Sequence, residues 1–246
     1  MMRQAIWLPA ALITALLLWQ GLILATGLPP FLLPGPRAVF QALIDHRETL
    51  ARAVLHTGAE VLSGFAIGTT LGAVLAVLMA AFPRLGAGLR PVLLISQVIP
   101  VFALAPILTL WLGYGMAPKI VVTALICFFP VASAFLDGLQ RTPAACLDIA
   151  RVMGAQPARE IWHLRIPMAL PMLGSGLKLA AVYAPIGAVI GEWVGGSAGL
   201  GAVMIHANGR MRIDLSFAAL FLVVLIALAF HGAISALAHR YFQRFQ

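Results

Sequence analysis

The sequence predicts an all-α integral membrane protein of about six transmembrane helices, with a polar helical loop on the side taken as cytoplasmic. Three observations predict it. Hydrophobic residues make up 62% of the 246 and charged residues only 10%, where ordinary soluble domains carry roughly 25% charged residues. The mean hydropathy is +1.00, more apolar surface than a water-soluble fold of this size can hide, so the solvent must be lipid. The apolar residues also fall into runs near the length of about 20 residues that crosses a bilayer as a helix.

Taken in order, the first run spans residues 5–27 and stops at the proline-rich stretch Pro29–Pro36. It is too long for the roughly 7–15-residue apolar core of a cleaved signal peptide, so it is expected to stay as a first span. The second runs from Val61 to Phe82 and ends at Pro83-Arg84. The third lies between Arg90 and Lys119 and contains Pro100 and Pro106. The fourth, Ile120–Leu136, is short and flanked by Lys119 and Asp137. The fifth starts near Pro167 or Pro171 and ends before Gly195-Gly196; the sixth runs from Leu215 to Leu237. The whole chain, 1–246, reads as one transmembrane domain.

Six spans put both termini on one side. With that side cytoplasmic, its lysines and arginines are Arg3, Arg84, Arg90, Arg141, Arg151, Arg159, Arg165, Arg240 and Arg244. The other side holds Arg37, Arg47, Arg52, Lys119, Arg210 and Arg212, and Lys178 falls inside a span. The excess of nine over six follows the positive-inside bias. The stretch from Arg37 to Arg52 runs against it, with Asp45 and Glu48 offsetting its charge. The formal net charge of +8 is therefore read as loop charge that orients the chain against membrane lipid, with no nucleic-acid partner. Cys127 and Cys146 lack metal spacing and read as free thiols. His56, His206 and His231 are scattered, and neither a metal nor a cofactor is expected.

The segment 142–166 differs from a simple turn. Thr142 is placed as an N-cap before Pro143. Leu147, Ala150, Met153 and Ala158 mix with Asp148, Arg151, Arg159 and Glu160; Gly154 breaks the pattern, and Pro157 can open a second helix. Two short amphipathic helices are expected, joined at Gly154-Ala155-Gln156. A hairpin lying on the membrane surface would give the same pattern.

This segment reads Pro143-Ala-Ala-Cys-Leu-Asp148-Ile149-Ala150-Arg151-Val-Met-Gly154-Ala155, followed by Ile166-Pro167 and Pro171. It resembles the Glu-Ala-Ala loop of ATP-binding-cassette importer permeases, with Asp148-Ile149-Ala150 in place of the triplet, so two of three positions depart. The resemblance covers about residues 50–242. It is similar to the nitrate, taurine and aliphatic-sulfonate branch in the run Gly195-Gly-Ser-Ala-Gly-Leu-Gly201. Ser96–Pro106 with Trp111–Gly115, and Gly187–Val194 with His206–Met211 and Asp214, look like permeases for thiamine precursors of the hydroxymethylpyrimidine type. The resemblance implies a permease subunit of the cell inner membrane with no ATP site of its own. It also implies a cytoplasmic ATP-binding subunit dimer, a periplasmic or lipid-anchored substrate-binding protein, and two permease chains forming the pathway. No Gly-x-x-x-x-Gly-Lys-Ser/Thr stretch occurs in the sequence.

Asp148, Ala150, Arg151, Gly154 and Ala155 are the expected coupling residues. Leu147 and Ala150 would fill a groove on the ATPase while Asp148 and Arg151 orient the helix, and Gly154 would let the chain turn where a side chain clashes. The third and fifth spans, interrupted by Pro100, Pro106 and Pro185 and by Gly174, Gly176, Gly187 and Gly191, are candidate pathway walls, because broken helices must face protein or water; packing kinks are the other reading. Gly64, Gly68 and Gly72 read as a small-residue helix seam. Glu192, beside Trp193, could contact substrate, form an outer gate, pair with Arg210 or Arg212, or sit solvated at the interface. Lys178 is expected to snorkel toward the cytoplasmic side. For a flat pyrimidine cargo the candidates are Gln97, Tyr114, Tyr183 and Glu192.

Two other functions compete. A stand-alone secondary transporter would carry inverted repeats and mid-span acids, and a membrane enzyme would gather intramembrane His, Asp or Ser; neither pattern is read here. Within the permease reading, nitrate, taurine or aliphatic sulfonates are the alternative cargoes.

Overall fold

The computed structural model describes the backbone of residues 2–242 and the side chains of residues 13–241. The side chain of Arg3 and all of Arg244 and Gln246 lie outside the described residues. Along the chain run α1 (Met2–Thr26), α2 (Pro36–Asp45), α3 (Arg47–Ala81), α4 (Pro83–Val98), α5 (Val101–Leu112) and α6 (Met116–Gln140). They are followed by α7 (Ala144–Val152), α8 (Pro157–Glu160), a π-helical turn (Ile161–Arg165), α9 (Ile166–Gly195), α10 (Leu200–Gly209) and α11 (Ile213–Phe242).

Among the described residues, four helical stretches are long and apolar enough to cross a membrane: α3, α6, the 39-residue run Pro157–Gly195, and α11. α4 and α5 together make a fifth, but they meet at 92°. The expected third span is therefore not one rod. Ile99 is extended and Pro100 caps α5, because proline disfavours helical geometry in the residue before it. α1 covers the expected first span, and its described apolar part is Ile13–Thr26. The fifth span starts earlier than expected. Pro157 opens the helix, and the π turn carries it into α9 past Pro167 and Pro171.

α6 is the centre of the bundle, with α3 and α9 against it. Glycine makes this packing possible. A Cβ on Gly64 would collide with Thr123, one on Gly68 with the Ala124 carbonyl, and one on Gly72 would lie 2.6 Å from the Phe128 carbonyl. From the other side, Gly176, Gly187 and Gly191 lie against Pro130, Thr123 and Lys119. These are small-residue seams that let backbones approach. The glycines of α9 are thus buried packing positions in a continuous 30-residue helix, and Pro185 is fully buried with them. That corrects the expectation of an interrupted fifth span: α9 runs without a break past its glycines, and at Gly176, Gly187 and Gly191 residues of α6 fill the space. Val61, Cys127, Val131, Ala180, Ala184 and Ala188 form the mid-bundle core. A second layer joins α2, α10 and α11 through Val39, Ala42, Leu200, Ala218 and Ala219.

The chain order gives the bundle two ends. α7, α8 and the π turn lie at the end where α6 finishes and the 157–195 rod begins. The start of α3, the start of α6, the end of α9, α10 and the start of α11 lie at the opposite end.

Candidate functional site

At the end opposite α7, three charged side chains from three helices meet inside the protein. Glu60 is 13 residues into α3, Lys119 is the fourth residue of α6, and Glu192 lies one turn before the end of α9. All three are buried: Glu60 is 0% exposed, Lys119 5% and Glu192 1%. Lys119 Nζ donates to Glu60 Oε1 at 3.0 Å and to the Ala198 carbonyl at 3.2 Å. Thr57, one turn above Glu60, donates to Glu192 Oε1 at 2.6 Å and accepts from the Leu200 N–H at 2.9 Å. The Gly201 N–H donates to Glu192 Oε2. Glu60 Oε2 has no hydrogen-bond partner.

Two carboxylic groups and one ammonium are therefore buried together, Glu60 paired with Lys119 and Glu192 held by a hydroxyl and a backbone N–H. A charge there is tolerable only when paired and hydrogen-bonded. Glu192 also places its negative charge at the N-terminus of α10, where free N–H groups and the helix dipole favour an anion. The glycine run explains itself in this geometry. Gly199 has φ +107, and a Cβ there or on Gly201 would run into Glu192, while one on Gly196 would meet the Glu192 backbone. The loop 196–199 lies close over Glu192 because Gly196 and Gly199 present no side chain to it.

Glu192 is thus neither solvated nor paired with Arg212, which binds Asp214 at 3.2 Å instead; burial and the Thr57 hydroxyl exclude both earlier readings. Lys119, expected as a loop charge, is the centre of the cluster. Sequence reasoning passed over Glu60, Lys119 and Thr57. Their signal was positional: Glu60 and Lys119 each stand immediately before an apolar run, Val61 and Ile120, at the same membrane depth and with opposite charge.

The other pathway candidates do not converge. Gln97 and Pro100 are exposed on the α4–α5 arm, Tyr114 is exposed in the turn before α6, and Tyr183 is partly exposed on α9. Pro185 and Glu192 face the interior.

At the α7 end, α7 stops in a turn of defined form. The Ala155 N–H bonds the Ala150 carbonyl and the Gly154 N–H bonds the Arg151 carbonyl, both at 2.9 Å. Gly154 has φ +81. This is the Schellman pattern of a helix C-terminus. A Cβ on Gly154 would meet nothing within 4 Å, so glycine is needed for the sign of φ and not for space. Thr142 does not cap α7. Its hydroxyl donates back to the Leu139 carbonyl, and Pro143 occupies the cap. Arg151 bonds Glu160 at 3.1 Å and Asp148 at 3.5 Å, and Arg165 approaches Glu160 at 3.9 Å. These pairs brace α7 against α8. Leu147 and Ala150 are half-buried, whereas Ile149, Val152 and Met153 are exposed. The most exposed apolar residues of the segment are therefore not the pair expected to meet the ATPase.

A family model described as "Binding-protein-dependent transport system inner membrane component" matches residues 68–245. The chain is 47% identical to a probable ABC transporter permease protein of Haemophilus influenzae, covering 92% of each chain. It is 36% identical to the formylaminopyrimidine transport permease protein ThiX of Halalkalibacterium halodurans, over 85% of this chain and 84% of the relative. It is 34% identical to the riboflavin transport system permease protein RibX of Chloroflexus aurantiacus, over 92% and 85%. Among solved structures, an inward-facing form of the MetNI methionine ABC transporter matches with a TM-score of 0.67 at 21% identity, covering 82% of this chain and 98% of that one. That likeness is one of fold.

Proposed function

This chain belongs to the family of binding-protein-dependent transport system inner membrane components and is the membrane-spanning subunit of an ATP-binding-cassette importer; we propose that its cargo is a flat, pyrimidine-bearing heterocycle of the thiamine-precursor type. The observation that carries this reading is the 36% identity to a formylaminopyrimidine permease over most of the chain. The 34% identity to a riboflavin permease points the same way, since the riboflavin ring system contains a fused pyrimidine ring. Nitrate, taurine and aliphatic sulfonates are the competing cargoes, none of them carrying an aromatic ring.

Two copies of the chain form the pathway in this reading, with both termini cytoplasmic. A flat ring would be recognised by a few polar groups on an apolar wall. Gln97 and Pro100 on the α4–α5 arm, Tyr114 in the turn before α6 and Tyr183 on α9 are exposed, where a second copy would close the wall. The segment Asp148–Gln156 carries the ATP-binding subunits. Ile149, Val152 and Met153 fill the partner's groove, and Asp148 orients the contact at its edge. The buried cluster around Glu192, with Pro185 a turn or two below it, holds the outer end of the pathway shut through loop 196–199.

Uptake by the complex reconstituted with its ATP-binding and substrate-binding partners tests both parts. Labelled formylaminopyrimidine should be taken up and competed by related pyrimidines, and not by taurine or nitrate. Sulfonate uptake that no pyrimidine competes with would overturn the cargo reading. In the same assay Glu192→Gln should lower uptake and make ATP hydrolysis less dependent on the substrate-binding protein. Wild-type values for both would remove the gate from Glu192.

A further inference from the structure

On the face opposite α7, a cavity of about 580 Å³ lies between the start of α3, α10 and the turn into α11. Its walls carry His46, Arg52, His56, His206, Arg210 and Arg212, and its floor is the loop Ser197–Gly199. We propose that this cavity is an oxyanion site, suited best to a phosphate group.

The charge balance is the first reason. Two acids lie near this cavity without lining it: Arg212 holds Asp214 through two bonds of 3.2 Å and feels the charge of Asp45. Arg212 also contacts His46 at 3.0 Å. The side chains of Arg52 and Arg210 make neither an ion pair nor a hydrogen bond within the described residues. Two guanidinium groups are thus left facing one cavity, each able to fork two N–H bonds onto an oxyanion. The imidazoles and the hydroxyls of Thr49 and Ser197 supply further donors around the same space. No carboxylate lines the cavity, so a cation would find no anionic partner in its walls. Among the described residues, no three His, Cys, Asp or Glu side chains come together to hold a metal.

Topology is the second reason. Arg52, Arg210 and Arg212 stand at the end away from the coupling loop, where the positive-inside bias disfavours short-loop arginine. They account for half of the six basic residues that run against the bias. Lys119, a fourth, is neutralised by burial against Glu60. The orientation rule gives no reason for the three arginines to be gathered around one cavity; a bound anion does.

The position gives the site a consequence. An oxyanion held between Arg52 and Arg210 would tie α3 to the far end of α10. It would rest on the same loop whose Ala198 carbonyl accepts from Lys119, so its occupancy would hold that loop down on the buried cluster. The ligand reaches this face from outside as a free oxyanion, or as the phosphate of an outer-leaflet lipid head group. The inference does not depend on which cargo the permease carries.

The test uses the full chain in nanodiscs of zwitterionic lipid at low salt, titrated with inorganic phosphate by calorimetry. A free-anion site gives saturable one-to-one binding that weakens at least tenfold in Arg52→Gln/Arg210→Gln and is unchanged in Arg84→Gln/Arg90→Gln at the opposite end. A lipid site gives weak phosphate binding. Phosphatidylglycerol is then retained through purification, by native mass spectrometry, in the wild type and lost in Arg52→Gln/Arg210→Gln. Both substituted arginines are exposed and unpaired, so the variant should melt like the wild type. If neither phosphate nor phosphatidylglycerol binds in a way this double variant changes, the proposal is wrong.

Discussion

The two ends of the bundle both hold networks of acids and bases, and they treat charge in opposite ways. At the end read as outer, Glu60, Lys119 and Glu192 are sealed from solvent and held by partners from different helices. At the end read as inner, Arg151 and Asp148 are more than half exposed and pair within one short helix, although Glu160, also bound by Arg151, is buried. A buried pair contributes little when intact but costs much when one partner is removed, because the other is left uncompensated. An exposed pair is screened by water and salt and contributes little either way. The outer network therefore holds three helix ends in register, while the inner one shapes the surface proposed to meet the ATP-binding subunit.

The sharpest way to break this contrast is Lys119→Met. It leaves the buried Glu60 carboxyl without its ammonium, beside the buried Glu192, and should cost about 3–5 kcal/mol, the range for breaking a buried pair. Thermal unfolding of the purified permease should fall markedly, and folded yield with it. An unchanged melting temperature would mean that the outer cluster is not the clamp described. A middle-sized effect is expected for Gly154→Val. A left-handed backbone costs a β-branched residue about 1–2 kcal/mol, confined to the turn after α7. The protein should still insert and melt within a few degrees of wild type while uptake and association with the ATP-binding subunit drop. Normal uptake together with normal association would detach α7 from coupling. The smallest effect is expected for Asp148→Asn, within about 0.5 kcal/mol as for exposed helical ion pairs. Its melting curve should overlay the wild type. A large destabilisation there would erase the difference between the two ends.

The apolar runs predicted the order of the spans, and the pattern around Gly154 predicted the bent polar loop, because lipid crossing and helix endings are written in contiguous residues. The α4–α5 bend was half visible. Pro100 marked the spot, but nothing local specifies an angle of 92°, which follows from how each half packs. The charge cluster was hidden because its members are far apart along the chain. Glu60 and Lys119 are separated by 59 positions and Thr57 and Glu192 by 135, and each reads by itself as a polar residue flanking a span. Likewise, the glycines of α9 look like helix breakers until α6 is placed against them. Non-local partners turn the same residues from flexible points into contact points.

The π turn at Ile161–Arg165 does one thing that an ordinary loop could not: it leaves no joint between the inner surface and α9. The stretch from Pro157 to Gly195 is 39 residues without an interruption, about 58 Å at 1.5 Å per residue. Treated as a beam pivoting near its inner foot, a tilt of about 5° would carry its tip sideways by about 5 Å over that length. The tip holds Glu192. A small rotation imposed where Arg165 meets Glu160 would thus arrive at the far side of the membrane as a displacement longer than any hydrogen bond in the outer cluster. Those bonds would have to break together rather than stretch one by one.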